Sequence, residues 1–147
     1  MGRKLLCCAL TWLMWASCTG RDGAPVTVRD AWVREPPGGH PIAAAYMVLE
    51  NASDQAVALV GAQSPVVERV EIHATSHENG TMRMRQVEQV SVPARGSIAL
   101  QSGGLHLMLI GMEKAPRQGD QVALTLRFGD GSERSVSAAV RRGGYGD

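Results

Sequence analysis

Short runs of alternating apolar and polar residues, separated by turns, occupy the chain from Val26 onward. This alternation is typical of β-strands, in which successive side chains point to opposite faces of a sheet. Asn79-Gly80 is the strongest hairpin signal between the runs, and no segment has a convincing helical period. The predicted strands are residues 26–33, 43–50, 56–60, 66–73, 82–87, 90–92, 97–100, 105–110, 121–128 and 133–140. Many short strands with regularly spaced turns predict an all-β Greek-key sandwich or small barrel.

Residues 1–17 differ from the rest of the chain and are predicted to be a signal peptide. The basic residues Arg3 and Lys4 precede a largely apolar run that ends at Trp15, and this order of charge and apolar segment is typical of export signals. Ala16-Ser17-Cys18 follows. It resembles the lipobox of bacterial lipoproteins, although Trp15 stands where that motif usually has leucine.

Cys18 therefore has two interpretations. In the one we favour, Cys18 is acylated, anchors the mature protein in a membrane, and leaves residues 18–25 as a tether. In the alternative, an ordinary leader is removed and the cysteine is there by chance. Both interpretations predict an exported protein of the periplasm or cell envelope, and the anchored form is a lipoprotein.

The remaining sequence predicts one folded domain over residues 26–140 and a flexible tail over residues 141–147. The formal net charge of the whole chain is +1, which argues against a nucleic-acid partner held by a basic surface. No run is long and apolar enough for a transmembrane helix. All three cysteines, Cys7, Cys8 and Cys18, lie in the leader or at its end, so the domain has no disulfide, thiolate ligand or cysteine nucleophile.

Candidate chemistry is concentrated in residues 105–109 of the predicted apolar strand 105–110. Its three leucines share one face of the strand and are expected to enter the core. His106 and Met108 then lie side by side on the other face. An imidazole and a thioether on one strand face are two potential metal ligands.

The Asn79-Gly80 hairpin supplies a second pair of the same kind. His73 ends the predicted strand before the turn, and Met84 lies on the returning strand. A tight turn is expected to bring Met84 back to the neighbourhood of His73. A lone methionine in a β protein is more often a core residue than a ligand, so the residues alone leave both interpretations open.

Imidazole and thioether ligands together favour copper(I). Thioether sulfur is soft and is a poor ligand for zinc, calcium or magnesium. Thioethers also form no disulfides, so they suit an oxidising compartment.

A blue-copper electron carrier would need a cysteine thiolate, which the domain lacks. The usual hydrolase and metalloprotease motifs are also absent from the sequence. Binding is therefore predicted rather than catalysis.

The spacing of the four residues resembles the signature of the periplasmic copper chaperones called PCuAC. Ten residues separate His73 from Met84, and twenty-one separate Met84 from His106-Leu107-Met108. The flanking sequence is similar to that family over about residues 26–140. The similar stretches are Ala31-Trp32-Val33-Arg34, Ala44-Ala45-Tyr46 with Glu50-Asn51, residues 80–85, residues 103–109 and residues 124–128.

This resemblance implies a cupredoxin-like Greek-key fold with one copper(I) near the surface. The implied ligands match His73, Met84, His106 and Met108. The implied role is delivery of copper(I) to the cytochrome c oxidase subunit that carries the copper-A centre, often with a thioredoxin-like copper assembly protein.

Two departures from the family pattern limit the expected number of copper ligands and copper sites. Ala74 stands where some members have a methionine after the first histidine, which removes an accessory ligand. The C-terminal tail has no histidine or methionine, so a second, copper(II) site is not expected. Two alternatives remain open: copper storage or resistance, which would use the same site, and a metal-free lipoprotein that binds another protein.

Overall fold

The computed structural model describes residues 25–143. Within that range the chain forms ten β-strands and one 3-10 turn at Pro37–Gly39. The strands are β1 (Val26–Arg34), β2 (Ile42–Asn51), β3 (Val57–Gln63), β4 (Arg69–Glu78), β5 (Thr81–Gln86), β6 (Val90–Val92), β7 (Ser97–Leu100), β8 (Leu105–Ile110), β9 (Gln121–Phe128) and β10 (Glu133–Arg141). The all-β prediction is confirmed.

The strands form one continuous sheet in the order β5-β4-β8-β2-β1-β10-β9-β3-β6, and β7 pairs with β2. Every pairing is antiparallel except that of β1 with β10. β6, the last strand of this order, also lies against β2, and β3 lies against β4. The sheet therefore curls around one core, as expected for a cupredoxin-like Greek-key fold.

Alternate residues of the strands fill this core. On β8, Leu107 and Leu109 are fully buried, and on the neighbouring strand β2 Ala45 and Leu49 are buried with them. Burying such side chains stabilises the fold by roughly 1.5–3 kcal/mol for each large aliphatic residue. The alternation leaves the other face of β8 available for functional side chains.

The strand before the hairpin differs from its prediction. Residues 66–73 are the predicted strand, but β4 runs from Arg69 to Glu78. Its last residues are small or polar, so the apolar pattern ends early, while their backbone pairs with β5. The loop is only Asn79-Gly80, with φ angles of 51° and 77°, as the favoured two-residue hairpin requires. His73 therefore lies inside β4 and not at its end.

The predicted leader, Cys18 and most of the tether lie outside the described residues, as do the last four residues of the predicted tail. In residues 25–143 no helix is long and apolar enough to cross a membrane.

Candidate metal centre

The outer face of β8 carries two of the predicted ligands. His106 and Met108 alternate with the buried Leu107 and Leu109, as predicted from the sequence. The neighbouring strand β2 places Ala44 opposite Met108. This small side chain leaves room above Met108 on the outer face.

His73 lies on the same face, one strand away. The register of β4 with β8 places His73 directly opposite His106. The centroids of the two rings are 5.8 Å apart. Two imidazoles that are distant in the chain are thus held side by side by backbone pairing.

Met84 reaches this face from β5. The hairpin register places Thr75 opposite Met84 and Gln86 opposite His73. Met84 is therefore diagonal to His73, on the same side of the sheet, and is 53% exposed. Its thioether is the most accessible of the four predicted donors.

A hollow of about 260 Å³ opens over these strands. Met84, His106 and Met108 line it, whereas His73 does not and lies beside His106. Met82 also lines this hollow. Larger surface hollows beside residues 35–39 and residues 65–68 carry no histidine, so the size of a cavity does not mark the site.

His106 is the buried member of the set, with only 4% of its surface exposed. Its Nδ1 lies 3.1 Å from the carbonyl oxygen of Gly104. A carbonyl only accepts hydrogen bonds, so Nδ1 donates its proton and the lone pair of the neutral ring is at Nε2. Burial lowers the pKa of His106, and a positive charge on His73 would lower it further. Both effects favour the neutral form, which binds metals.

His73 has the opposite hydrogen-bonding pattern. Its Nε2 lies 2.8 Å from Oε2 of Glu71. The pKa of Glu71 is held below its ordinary value by hydrogen bonds from Arg69 and, second, from His73, so the group is a carboxylate at neutral pH. A carboxylate only accepts, which places the His73 proton on Nε2. Nδ1 is buried and has no hydrogen-bond partner among the described residues.

An aromatic wall closes one side of the site. The Tyr46 ring centroid lies 6.3 Å from that of His106 and 4.7 Å from that of Trp32. The guanidinium of Arg34 lies over the Tyr46 ring, 5.3 Å from its centroid, and donates a hydrogen bond of 3.2 Å to Ser102. Trp32 therefore belongs to the site face.

The other histidines and methionines lie at less central positions. His77 is exposed and is paired across the hairpin with Met82. His40 is exposed in the loop before β2, and Met112 is buried in the core. Sequence reasoning missed Glu71, although residues two apart on a strand share a face and this spacing could have identified it.

The arrangement suits a soft, monovalent cation. Two imidazoles can each present an unshared lone pair in their neutral form, and two thioethers lie on the same face. A buried nitrogen without a partner is costly unless something binds it, and a metal ion would satisfy Nδ1 of His73. Within residues 25–143, no three His, Cys, Asp or Glu side chains are grouped to hold a metal ion.

Comparison with known proteins gives a family match over most of the domain. The family described as "Putative lipoprotein LpqE-like" matches residues 26–140. The "Putative lipoprotein Lxx21020" of Leifsonia xyli subsp. xyli is 30% identical over 135 residues, which cover 91% of this chain and 80% of that protein.

Solved structures give the same fold. The copper(I) form of DR1885 from Deinococcus radiodurans is 37% identical, covers 90% of this chain and 89% of its own, and superposes with a TM-score of 0.68. Its apo form is 34% identical over the full length of both chains, with a TM-score of 0.64. The copper-bound PCuAC domain of PmoF2 is 23% identical, covers 82% of this chain and 95% of its own, and has a TM-score of 0.68, which shows the fold alone. The resemblance to the PCuAC family is thereby confirmed, and the chain belongs to the LpqE-like family of proteins with this β fold.

Proposed function

We propose that this chain is an extracytoplasmic copper(I) chaperone that binds one ion through His73, Met84, His106 and Met108. The observation that carries the proposal is the placement of all four residues on one sheet face, with both imidazoles holding an unshared lone pair. The relative DR1885, at 37% identity, has been solved in a copper(I) form. The ligand set is neutral, so the loaded site carries a charge of about +1 from the ion.

The four proposed ligands differ in solvent exposure, and this difference suits transfer of copper(I) to an acceptor. Met84 is 53% exposed and His106 is 4% exposed, while Met108 and His73 are intermediate. An incoming acceptor would therefore replace the thioether of Met84 first, while the imidazoles still hold the ion. No buried charge is left behind at any step, because each ligand is neutral.

The predicted anchor is compatible with delivery to a membrane-bound client. The domain begins at Val26, whereas the site lies beside Trp32, which pairs with Tyr46. Val26 and Trp32 are six residues apart on β1, which corresponds to about 20 Å along the strand. The site thus lies about 20 Å along β1 from the residue at which a tether of residues 18–25 and an acylated Cys18 would join the domain.

We further propose that the client is the cytochrome c oxidase subunit that carries the copper-A centre, reached directly or through a thioredoxin-like copper assembly protein. The PCuAC resemblance supports this choice. Copper storage or resistance is the main alternative, because it needs the same site. A metal-free lipoprotein that binds another protein is the second.

Copper binding is tested first on the purified domain. We expect one equivalent of copper(I) to bind in competition with a chromogenic chelator. Met108→Leu keeps nearly the same bulk and removes the sulfur, so the fold should persist while affinity falls at least about tenfold. Met112→Leu, in the core, is the matched control and should bind as wild type. A wild-type domain that leaves the chelator fully loaded contradicts the proposal.

Delivery is tested in cells grown with limiting copper. The Met108→Leu strain should lose oxidase activity, and added copper should restore it, because the defect lies in supply. Normal oxidase activity in a strain whose protein binds no copper(I) in vitro would favour storage or resistance instead. Mass spectrometry of the native protein tests the anchor: we expect a lipidated Cys18 at the N-terminus, and a product that begins after Cys18 excludes it.

A further inference from the structure

Arg69, Glu71 and His73 form a hydrogen-bonded row on the site face of β4. They alternate along the strand and therefore share one face. Arg69 Nε–H donates to Oε1 of Glu71 at 2.8 Å, and His73 Nε2–H donates to Oε2 at 2.8 Å. Both oxygens of the carboxylate are thus occupied by groups of its own strand.

We propose that Glu71 is a positioning residue that fixes the His73 ring so that Nδ1, and not Nε2, is its copper donor. The proposal rests on the copper(I) chaperone function above. It assigns different donor atoms to the two histidines, because the hydrogen bond to the Gly104 carbonyl engages Nδ1 of His106 and leaves Nε2 free.

The surroundings of His73 support this assignment. Its Nδ1 is buried without a hydrogen-bond partner in residues 25–143, while the side chain as a whole is 16% exposed. Rotating the ring to exchange the two nitrogens would break the bond to Glu71 and would leave a carboxylate oxygen without its donor. A hydrogen bond to a charged acceptor is stronger than one between neutral groups, so the bond to Glu71 favours one orientation of the ring.

Glu71 is not proposed as a ligand. Its register partner on β8 is Met108, so the carboxylate lies close to the site, but Arg69 engages one oxygen and His73 the other. A carboxylate behind a ligating histidine sets the orientation and the basicity of the ring. Glu71 would thereby raise copper(I) affinity through His73 alone.

Two substitutions separate orientation from charge. Glu71→Gln keeps an oxygen that can accept from Nε2–H and removes the negative charge. Glu71→Ala removes the acceptor altogether. Glu50→Ala, which breaks an ion pair with Arg29 on a different part of the sheet, is the matched control for loss of a carboxylate.

The first measurement needs no metal. NMR of the ¹⁵N-histidine-labelled apoprotein should show a slowly exchanging Nε2–H signal for His73 in the wild type, Glu71→Gln and Glu50→Ala. The signal should be lost in Glu71→Ala, because the proton is then open to exchange with water. A signal for His73 that is unaffected in Glu71→Ala overturns the positioning role.

The second measurement uses silver(I) as the bound ion, since its coupling to ¹⁵N identifies the ligated nitrogen. We expect coupling to Nδ1 of His73 and Nε2 of His106 in the wild type. Glu71→Ala should lower copper(I) affinity about 10–100-fold and broaden or move the His73 coupling, and Glu71→Gln should recover most of both. Coupling to Nε2 of His73 in a wild-type protein that binds the ion overturns this inference alone, whereas no binding at all overturns the proposed function with it.

Discussion

His73 and His106 face each other across two adjacent antiparallel strands, with ring centroids 5.8 Å apart. Each ring has one nitrogen engaged by a hydrogen-bond acceptor of the protein, Glu71 for the first and the Gly104 carbonyl for the second. In the neutral form of each ring, the other nitrogen therefore carries the unshared lone pair. The register of β4 with β8 thus fixes the relative position of the two imidazoles of the proposed site in the metal-free protein.

Met84 should contribute more to copper(I) binding than Met82. Both side chains line the hollow and both are more than half exposed, but Met84 pairs with Thr75, whereas Met82 pairs with His77, one step closer to the hairpin loop. Met84 is thus nearer to the His73–His106 row. We expect Met84→Leu to weaken copper(I) binding at least about tenfold and Met82→Leu to change it by less than about threefold, as measured by chelator competition.

The two variants are controls for each other, since each removes one exposed sulfur from the same strand face. A larger loss for Met82→Leu would move the sulfur ligand from Met84 to Met82. Equal losses would indicate that both sulfurs take part.

Acidification should destabilise the metal-free protein through His106. Burial lowers the folded-state pKa of His106 below its ordinary value of 6.5. The unfolded chain takes up a proton near pH 6.5 while the folded chain does not, so the free energy of unfolding falls as the pH falls through 6.5. Above that pH His106 is neutral in both the folded and the unfolded chain, so it causes no loss of stability.

The measurement is urea unfolding of the apoprotein at pH 7.5 and pH 5.5. His106→Gln cannot titrate in this range, so its stability relative to wild type should improve on going to the lower pH. His40→Gln removes an exposed imidazole from the loop before β2 and should keep the wild-type pH dependence. A constant difference between wild type and His106→Gln at both pH values would contradict the argument.

A substitution at Gly80 should weaken copper(I) binding only through its effect on the backbone conformation of the hairpin. Its φ angle is 77°, and no atom lies within 4 Å of a Cβ added there. Gly80→Ala is therefore strained by roughly 1–2 kcal/mol from conformation, and the strain falls on the hairpin that carries Met84. We expect lower stability and weaker copper(I) binding.

Gly131 offers a matched control at the hairpin between β9 and β10. Its φ angle is 82°, and it is equally free of neighbours within 4 Å. Gly131→Ala should cost similar stability in thermal unfolding and leave copper(I) affinity unchanged. A similar loss of affinity in both variants would show that general destabilisation, and not hairpin geometry, is the cause.

The sequence predicts local structure at the site better than it predicts contacts. The alternation of leucines with His106 and Met108 predicts β8 to its observed ends, because the pattern is purely local. The end of β4 is not predicted, since residues 74–78 join the strand through pairing with β5 and not through their own apolar pattern. Pairing partners distant in the chain, such as His73 and His106, follow from the family resemblance rather than from the residues alone.

Side-chain relationships need the three-dimensional structure. The hydrogen bond of Glu71 to His73 depends on rotamers, and strand alternation gives only their shared face. The position of Trp32 on the site face also needs the structure, because an aromatic residue in a β-rich run is usually part of the core. Here Trp32 lies against Tyr46 on the outer face. The pairing of β1 with β2 has a bulge between Arg29 and Trp32, and this shift in register places Trp32 opposite Tyr46.

The donor atoms of the proposed site should determine which metal it prefers. Two thioethers favour a soft monovalent ion, whereas zinc prefers imidazole, carboxylate or thiolate ligands. Calorimetry should show silver(I), used as an air-stable substitute for copper(I), bound far more tightly than zinc. The double variant Met84→Leu with Met108→Leu should lose silver(I) affinity by more than either single variant, yet any weak zinc binding by His73 and His106 should persist because both imidazoles remain. Zinc bound as tightly as silver(I), or weakened to the same degree by the double variant, would show that sulfur does not determine the choice of metal.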